Sequence, residues 1–440
     1  TLRSVILRRL STRSSAASSQ PVGTGQQQAD DKPAEKSYEK STLSLQRSAQ
    51  AALGELAPES RFYAVDFAMP IDQVDLQLTQ VEEWRFCDRC QYIERVDLTD
   101  RHSACPRCFS AQWADSGQRH AILKLRQVYA TVDSRADRIG DEAEQREPVF
   151  FNRQTLVDVD EQGHRGGFRL DSEQLPFGFE FLSRVTLREV NFGQAGGDTH
   201  TFSVAGHDTS RRGFRICKHC GKVQKQRPRR GEIMHSFTCK LRRHPELESD
   251  DDYFESLYLY RELASEAIRI LLPLSEVAYS DVTLNSFVAA LNLGLKAYFR
   301  GDVHHLEVTD MAEPANSDSG ERFYLLIYDR IPGGTGYLKE LMREPDHLMQ
   351  VLALAHQRLA SCECIDDALL DGCYRCLLAY RHRRSMPTIS RRDAEQLLGE
   401  LLELRDGLIP VESLAEINTN GLVESKLEQR FLDALSAVAG

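Results

Sequence analysis

The sequence lacks several features that would point to a membrane protein or to a self-contained ATPase. None of its 440 residues belong to an uninterrupted apolar run of about 18, the least that a membrane-spanning helix needs. It also has no secretory signal peptide, no G-x4-G-K-[ST] loop and no DE-x-[DH] box in a helicase context. We therefore expect a cytoplasmic protein without a membrane partner, which cannot hydrolyse ATP by itself and for which no catalytic residue is predicted.

The ends of the sequence have little that would build a core. It begins at Thr1 rather than Met, and residues 1–29 are rich in Ser, Gln and Arg but have no acidic residue. This composition is typical of a transit peptide and also of a disordered linker within a longer chain, and we favour a disordered linker over 1–60. The segment 422–440 is predicted to begin the first helix of a following domain. By analogy alone, that domain would be a nuclease.

Eleven cysteines are present, and the first four occur as two C-x-x-C pairs. Each pair can form a tight turn that aims two thiolates at one metal ion, and a separation of 14 residues is typical of a zinc ribbon. The predicted ligands are Cys87, Cys90, Cys105 and Cys108. Trp84, Phe86 and Trp113 flank them and are predicted to pack against the ribbon, with base stacking as the alternative.

The next three cysteines occur as 217-CKHC-220 and 235-HSFTC-239. A fourth ligand must then be a histidine. His219 lies inside the first pair, but the spacing of His235 and Cys239 suits one face of a helix, so His235 is preferred. The predicted ligands are Cys217, Cys220, His235 and Cys239.

The last four cysteines lie within 362-CECIDDALLDGCYRC-376. Assigning Cys362, Cys364, Cys373 and Cys376 to a third site uses every cysteine of the chain. Disulfides would need an even number of cysteines and an oxidising compartment, and a redox C-x-x-C would not be matched by a second pair. Four-ligand sites leave no open position for a substrate, so we expect about three zinc ions with a structural role.

The hydrophobic pattern predicts an α+β protein, with a zinc ribbon and a β-rich N-terminal half and a mainly helical, zinc-stapled C-terminal half. We predict strands within 61–80 and at 149–159, 177–192 and 199–204, and helices at 253–272, 284–299, 346–361 and 391–404, the last opened by a capping box of Ser390 and Asp393. The expected segments are a linker (1–60), a zinc ribbon region (61–120), a β-rich domain with the second zinc site (121–250), a helical zinc-binding domain (251–405) and a linker with the first helix of another domain (406–440).

A glycine-rich turn, 332-PGGTG-336, is predicted between a strand and a helix within 322–342. Its amides could bind phosphate, but no Lys follows the glycines where a triphosphate would need it, so tight packing is favoured. Asp329 either caps this turn or acts as a functional acid. Asp329 with Glu307 or Asp310 is the one weak candidate for an enzymatic carboxylate cluster.

Basic residues concentrate beside two of the cysteine sites, although the net charge of the chain is −11. Between Arg211 and Arg243 there are twelve Lys or Arg and one acid. This pattern predicts phosphate contacts, with a surface neutralised by acids such as 246-ELESDDD-252 as the alternative. The predicted DNA contacts are Arg211, Arg212, Arg215, Lys218, Lys222, Lys225, Arg227, Arg229, Arg230, Arg383 and Arg384.

With 326-LIYDRIPGGTGYLKEL-341, the third cysteine set and 388-TISRRDAEQLL-398, the chain resembles the MrfA-like zinc-binding domain family over about 255–403. That domain forms the C-terminal region of superfamily 2 DEAD/DEAH-type DNA helicases and of helicase-associated proteins in phage-defence systems such as DISARM and Druantia. The resemblance implies that the last four cysteines bind one zinc ion and that the domain supports unwinding by an attached motor.

The motor itself is absent from these residues. We therefore expect an accessory region of an ATP-dependent DNA helicase, in DNA repair or phage defence, with DNA and a helicase motor as partners. The alternative is a zinc-stapled scaffold that binds a protein subunit of a defence complex. Salt-dependent DNA binding would favour the first, and salt-insensitive association with a helicase subunit would favour the second.

Overall fold

The computed structural model describes residues 4–12, 39–96, 102–132, 137–139, 149–170, 177–195, 201–210, 212–224, 234–272, 281–301, 303–314, 321–367, 370–378 and 386–414. They contain both strands and helices, as expected of an α+β protein. The strands are β1 (Ser4–Thr12), β2 (Glu39–Ser48), β3 (Arg61–Ala64), β4 (Phe67–Pro70), β5 (Gln73–Val74), β6 (Val81–Phe86), β7 (Ile93–Arg95), β8 (Arg119–Lys124), β9 (Gln127–Val132), β10 (Phe151–Val159), β11 (His164–Leu170), β12 (Gly178–Gln194), β13 (Thr201–Val204), β14 (His207–Ser210), β15 (Phe214–Cys217), β16 (Tyr253–Leu271), β17 (Leu306–Pro314), β18 (Glu321–Asp329) and β19 (Leu408–Val411). The helices are α1 (Ala49–Glu55), α2 (Lys240–Arg243), α3 (Asp281–Tyr298), α4 (Tyr337–Leu341), α5 (Pro345–Ala360) and α6 (Arg391–Glu403). Of the helices in these ranges, none has the length and apolar character needed to cross a membrane.

One large sheet dominates the structure, in the order β19-β11-β12-β16-β8-β6-β7. Strand β10 also pairs with β12, β15 and β18 pair with β16, and β17 pairs with β18. Strand β16 is antiparallel to β12 and β18 and parallel to β8. The sheet takes strands from every segment that we expected beyond residue 60, so it runs across the expected boundaries at 120, 250 and 405.

The helix predicted over 253–272 is wrong, because these residues form the 19-residue strand β16. Both faces of β16 are covered for much of its length, and Leu257–Tyr260 and Ala267–Leu271 are buried without interruption. A strand buried on both faces reads as a nearly continuous apolar run rather than an alternating one, and such a run can also match a helical spacing. The C-terminal half therefore combines helices with long strands.

The prediction that residues 1–60 are a disordered linker is also wrong for the residues that the structure describes, because they form two strands and a helix. Strand β1 pairs antiparallel with β2 and parallel with β9, in a second sheet of order β2-β1-β9-β5. Val5 and Leu7 of β1 are buried in a core with Leu53 of α1. The Ser48 hydroxyl caps α1 by accepting a hydrogen bond from the Ala51 amide at 3.3 Å. Residues 13–38 lie outside the described part.

Helices α3, α5 and α6 pack together on the large sheet, and the predicted helices at 284–299, 346–361 and 391–404 are confirmed. A Cβ atom at Gly294 of α3 would lie 2.2 Å from the Val351 carbonyl oxygen of α5, so the two backbones approach closely. The Ser390 hydroxyl caps α6 by accepting from the Asp393 amide at 3.1 Å. In the predicted capping box, the Asp393 side chain would accept a hydrogen bond from the Ser390 amide. That amide instead donates to Ser286 Oγ of α3 at 2.7 Å.

Candidate metal centres

The first cysteine site lies beside the end of β6, and its four sulfur atoms lie within 4.8 Å of one another. The Sγ atoms of Cys87 and Cys108 are 3.4 Å apart, and those of Cys90 and Cys105 are 3.7 Å apart. A tetrahedral Zn²⁺ with bonds of about 2.3 Å separates its sulfur ligands by about 3.8 Å, whereas a disulfide bond is about 2.05 Å long. The site therefore fits a zinc ion, and none of the eleven cysteines of the chain forms a disulfide bond.

Aromatic side chains support this first site from inside the protein. Trp113 is buried in one cluster with the cysteines, and its ring packs on that of Tyr92 with centroids 5.3 Å apart. Trp84 and Phe86 are also buried, but they belong to another core cluster. The predicted packing against the ribbon is therefore confirmed for Trp113, while Trp84 and Phe86 form part of a different core. Because all three side chains are buried, they are not available to stack on nucleic-acid bases.

The second site contains Cys217, Cys220, His235 and Cys239, again with ligand atoms within 4.8 Å. The Nδ1 atom of His235 lies 3.6 Å from Cys239 Sγ and 3.9 Å from Cys220 Sγ. His219 instead has its Nε2 atom 2.6 Å from Asp252 Oδ1. The geometry thus selects His235 as the fourth donor. His235 and Cys239 are joined by a turn that precedes α2 and not by the helical turn that their spacing suggested.

Two residues that the sequence analysis missed hold His235 in place. The Tyr253 hydroxyl lies 3.2 Å from His235 Nε2 and donates a hydrogen bond to Glu248 Oε1 at 2.5 Å. Burial and this carboxylate raise the pKa of Tyr253, so its hydroxyl keeps its proton. A partner on Nε2 leaves Nδ1 free to bind metal, which is the usual arrangement around histidine ligands. Glu248 belongs to the acidic run that follows α2, but nothing in the sequence pairs it with Tyr253.

The third site follows α5 and precedes α6. Its sulfur atoms are 3.5 Å apart for Cys362 and Cys373 and 3.8 Å apart for Cys364 and Cys376. Burial opposes ionisation of the Cys373 thiol, but hydrogen bonds from backbone amides bring its pKa down to about 7. A thiol that ionises near neutral pH is ready to bind a cation. The carboxylate of Asp371 accepts from the Arg392 amide at 3.1 Å and so joins the site to the first turn of α6.

Residues 287–377 match the family model of the MrfA Zn-binding domain. This segment is therefore similar to the MrfA Zn-binding domain, and we use that name for residues 287–377. All four cysteines of the third site lie in the matched range. A solved structure, that of the DUF1998 helicase MrfA bound to DNA, is similar at a TM-score of 0.40 with 10% identity, over 92% of this chain and 34% of that one. The chain thus spans about a third of that helicase's length. No curated protein matches the chain.

The backbone amides of the glycine turn in the MrfA Zn-binding domain donate hydrogen bonds to acceptors within the protein. Asp329 is fully buried and accepts hydrogen bonds from the Ile331 amide at 2.8 Å and from the amide and hydroxyl of Thr335, the amide at 2.7 Å. The Gly336 amide donates to Glu266 Oε1 at 3.1 Å. Pro332 has no amide hydrogen, and the amides of Gly333 and Gly334 donate to backbone carbonyls. This turn therefore has no amide left for a phosphate, and Asp329 acts as its cap.

The weak candidate for an acidic catalytic cluster does not assemble in the MrfA Zn-binding domain. Glu307 accepts hydrogen bonds from the side-chain amide of Gln50 at 3.1 Å and from the Tyr328 hydroxyl at 2.8 Å. Asp310 pairs with His207 at 3.5 Å, and this contact lowers the pKa of Asp310. Glu307, Asp310 and Asp329 thus have separate partners.

Lys222 is not a DNA contact, which corrects the prediction for this residue. Its ammonium group is fully buried and lies 2.6 Å from both Asp72 Oδ2 and Thr131 Oγ1. A buried ammonium is stable only when it is paired in this way, so Lys222 joins the second site to β9.

The other predicted DNA contacts that the structure describes have partners of their own. Arg215 pairs with Glu255 at 2.9 Å, Lys218 donates to the Asp251 carbonyl at 2.7 Å, and Arg212 lies 3.5 Å from Glu59. Acids thus offset much of this surface, as the alternative interpretation expected. The remaining predicted contacts lie outside the described residues, namely Arg211, Lys225, Arg227, Arg229, Arg230, Arg383 and Arg384.

Proposed function

We propose that this chain is a zinc-binding, DNA-engaging accessory region of an ATP-dependent superfamily 2 DNA helicase. The observation that carries the proposal is the match of residues 287–377 to the MrfA Zn-binding domain, with all four cysteines of the third site inside it. The chain would not be an enzyme by itself, and a motor in another region or subunit would supply ATP hydrolysis. DNA repair or phage defence in the cytoplasm is the setting that we infer for such a unit.

Zinc would serve this function by holding three turns of the chain in a fixed conformation. Each site offers four donors within 4.8 Å of one another, and a closed set of four leaves no position for water or substrate. We propose that the eleven cysteines and His235 are the ligands. The ions would then hold three turns, each of which lies beside a different strand or helix of the fold, in the geometry that the DNA and the motor require.

The DNA contacts that we propose from the basic cluster exclude Lys222. Arg212, Arg215 and Lys218 are partly exposed, and we still propose them as DNA contacts. Each of them also interacts with a nearby carboxylate or carbonyl group, with which a phosphate would compete. The contacts predicted outside the described residues remain part of the proposal. Phosphate contacts of this kind release counterions, so the binding that they support weakens as salt increases.

Zinc analysis combined with DNA binding tests this function. The purified chain should contain about three zinc ions, and its affinity for labelled single-stranded and duplex DNA should fall steeply between about 50 and 200 mM salt. Zinc without DNA binding would overturn DNA engagement but leave the zinc-stapled fold. A chain that binds DNA equally well at both salt concentrations would contradict a phosphate-based interface.

A second candidate function is a scaffold that binds a protein subunit. Exposed apolar side chains around the third site favour it, because Tyr374 is 78% exposed and Ile365 and Leu370 are 45% and 44% exposed. Apolar groups grouped on a surface are typical of protein contacts. Association with a helicase subunit that resists salt, and is lost in Tyr374→Ser, would support the scaffold over the DNA-engaging function.

A further inference from the structure

Two adjoining cavities beside α1 form a groove that the sequence does not reveal. One has a volume of about 660 Å³ and the other about 510 Å³, and both are lined by Gln50 and Arg330. Residues of α1, of the start of β3 and of the loop after β18 are among those that line the cavities. Five arginines line the two cavities, and we name this feature the arginine groove, defined by Arg47, Arg61, Arg153, Arg261 and Arg330.

These arginines come from distant parts of the chain. Arg47 lies in β2, Arg61 begins β3, Arg153 lies in β10, Arg261 lies in β16, and Arg330 follows β18. Strands β10, β12 and β16 are neighbours in the large sheet, so Arg153 and Arg261 flank Glu189 of β12. None of the five belongs to the basic clusters that the sequence analysis singled out.

The groove carries an excess of positive charge. Arg153 and Arg261 share one carboxylate, Glu189, at 3.4 and 2.7 Å. Arg47 pairs with Glu55 at 3.0 Å, and Arg330 pairs with Glu307 at 3.3 Å. Arg61 is exposed and forms no ion pair with any residue that the structure describes. Five guanidinium groups thus face three carboxylates, an excess of two positive charges in a chain of net charge −11.

A fourth carboxylate, that of Glu262, also lines the groove but does not cancel this excess. Glu262 is held from outside the groove by Lys124 at 3.3 Å and by Arg188 at 3.0 Å. The guanidinium of Arg47 is also fixed, because it lies 4.6 Å from the centre of the Phe62 ring. A cation held in this way loses less conformational freedom when it binds a ligand.

We propose that the arginine groove binds the phosphate backbone of a single nucleic-acid strand. All five cations are guanidinium groups, whose planar set of N–H donors matches the oxygen atoms of phosphate. The cavities have the volumes of small-molecule sites, so they admit the nucleotides of one strand and not a double helix. This inference rests on the proposed function, and it moves a principal DNA contact from the 211–243 segment to the groove.

The decisive experiment removes two exposed arginine charges from the groove and compares DNA binding with that of a control variant that loses two arginine charges outside the groove. The groove variant is Arg47→Gln with Arg61→Gln, and the control variant is Arg343→Gln with Arg405→Gln. The control arginines are 69% and 59% exposed in their side chains and lie in local ion pairs, as Arg47 does, so the two variants lose the same charge. Fluorescence anisotropy with labelled oligothymidine at several salt concentrations measures binding, and thermal unfolding and zinc content confirm the folded state.

We expect the groove variant to bind on the order of tenfold more weakly than the control and to lose about 1.4 in the slope of log affinity against log salt, roughly 0.7 for each phosphate contact. The variant Glu55→Gln removes the partner of Arg47 and should bind oligothymidine more tightly than the unmodified chain. An increase in affinity cannot result from unfolding, so this variant guards against a trivial loss of function.

Three results would overturn the proposal. The first is equal weakening in the groove and control variants, and the second is a Glu55→Gln variant that binds no more tightly than the unmodified chain. The third is polyglutamate binding that the groove variant loses while oligothymidine binding is retained, which would assign the groove to an acidic peptide. An unmodified chain that binds no DNA at all would instead overturn the proposed function, so the two failures are distinguishable.

Discussion

At the scale of single residues, buried charges decide local structure in two places. Asp329 holds the glycine turn through its hydrogen bonds to Ile331 and Thr335, and Lys222 holds β9 through Asp72 and Thr131. A charged group that accepts or donates several hydrogen bonds inside a protein is much more costly to lose than a surface ion pair. Both residues therefore act on stability, although the sequence also allowed functional roles for them.

Replacing Asp329 should destabilise the turn that joins β18 to α4. The Asp329→Asn side chain keeps its shape, but its amide group cannot accept all three hydrogen bonds. We expect the free energy of unfolding to fall by about 2–4 kcal/mol. Denaturant unfolding measures the change, and Asp406→Asn is the control because that side chain is 94% exposed. Equal stability of the two variants would contradict the role of Asp329 as the cap of the turn.

Replacing Lys222 should affect folding rather than DNA binding. The Lys222→Met variant leaves Asp72 charged and without its ammonium partner, which should cost about 3–5 kcal/mol. Adding Asp72→Asn should recover much of that loss, because a neutral amide then replaces the partly buried, unpaired carboxylate. Lys218→Met, at an exposed position, should change stability by less than about 1 kcal/mol. If Lys222→Met instead lowered DNA affinity with no loss of stability, the buried pair would be disproved.

At the scale of elements, β16 organises the large sheet and the α3–α5 contact organises the helices. Strand β16 pairs with β8, β12, β15 and β18, so it joins the parts of the sheet that hold the first and second sites to the MrfA Zn-binding domain. Helices α3 and α5 approach through Gly294, where a side chain would meet the Val351 carbonyl. Close helix contacts of this kind tolerate little added volume.

The Gly294→Ala variant tests the helix contact. A methyl group 2.2 Å from the Val351 oxygen must push the two helices apart, at an expected cost of about 1–3 kcal/mol. The matched control is Gly399→Ala in α6, where the nearest atom is His356 Nε2 at 3.6 Å. That variant should gain about 0.5–1 kcal/mol, because alanine favours a helix more than glycine does. Thermal unfolding that moves in the same direction for both variants would contradict the close approach of α3 and α5.

At the scale of the whole molecule, the three candidate zinc sites lie in separate parts of the structure. The first belongs to a small cluster with Trp113, the second to a cluster with Leu241 and Tyr253, and the third to the core of α3, α5 and α6. Since the sites share no ligand, each should bind and lose its ion independently.

Removing the third site should leave the other two loaded. The Cys373→Ser and Cys376→Ser double variant should contain about two zinc ions in place of three, and hydrogen exchange should increase near 361–378 and the start of α6. The first and second sites should resist chelators as they do in the unmodified chain. Metal content that falls to zero would show that the sites depend on one another.

The sequence by itself determined the composition of the candidate zinc sites, because ligands in short turns are placed by chain connectivity over a few residues. It also determined the helices of the MrfA Zn-binding domain and the strands between 149 and 204, whose patterns of buried residues are local. Only the tertiary structure decided that 253–271 is a strand and that Lys222 is buried. It alone also assembled the arginine groove. The physical reason is that burial, ion pairing and strand partners depend on residues far apart in the chain, which the sequence order does not bring together.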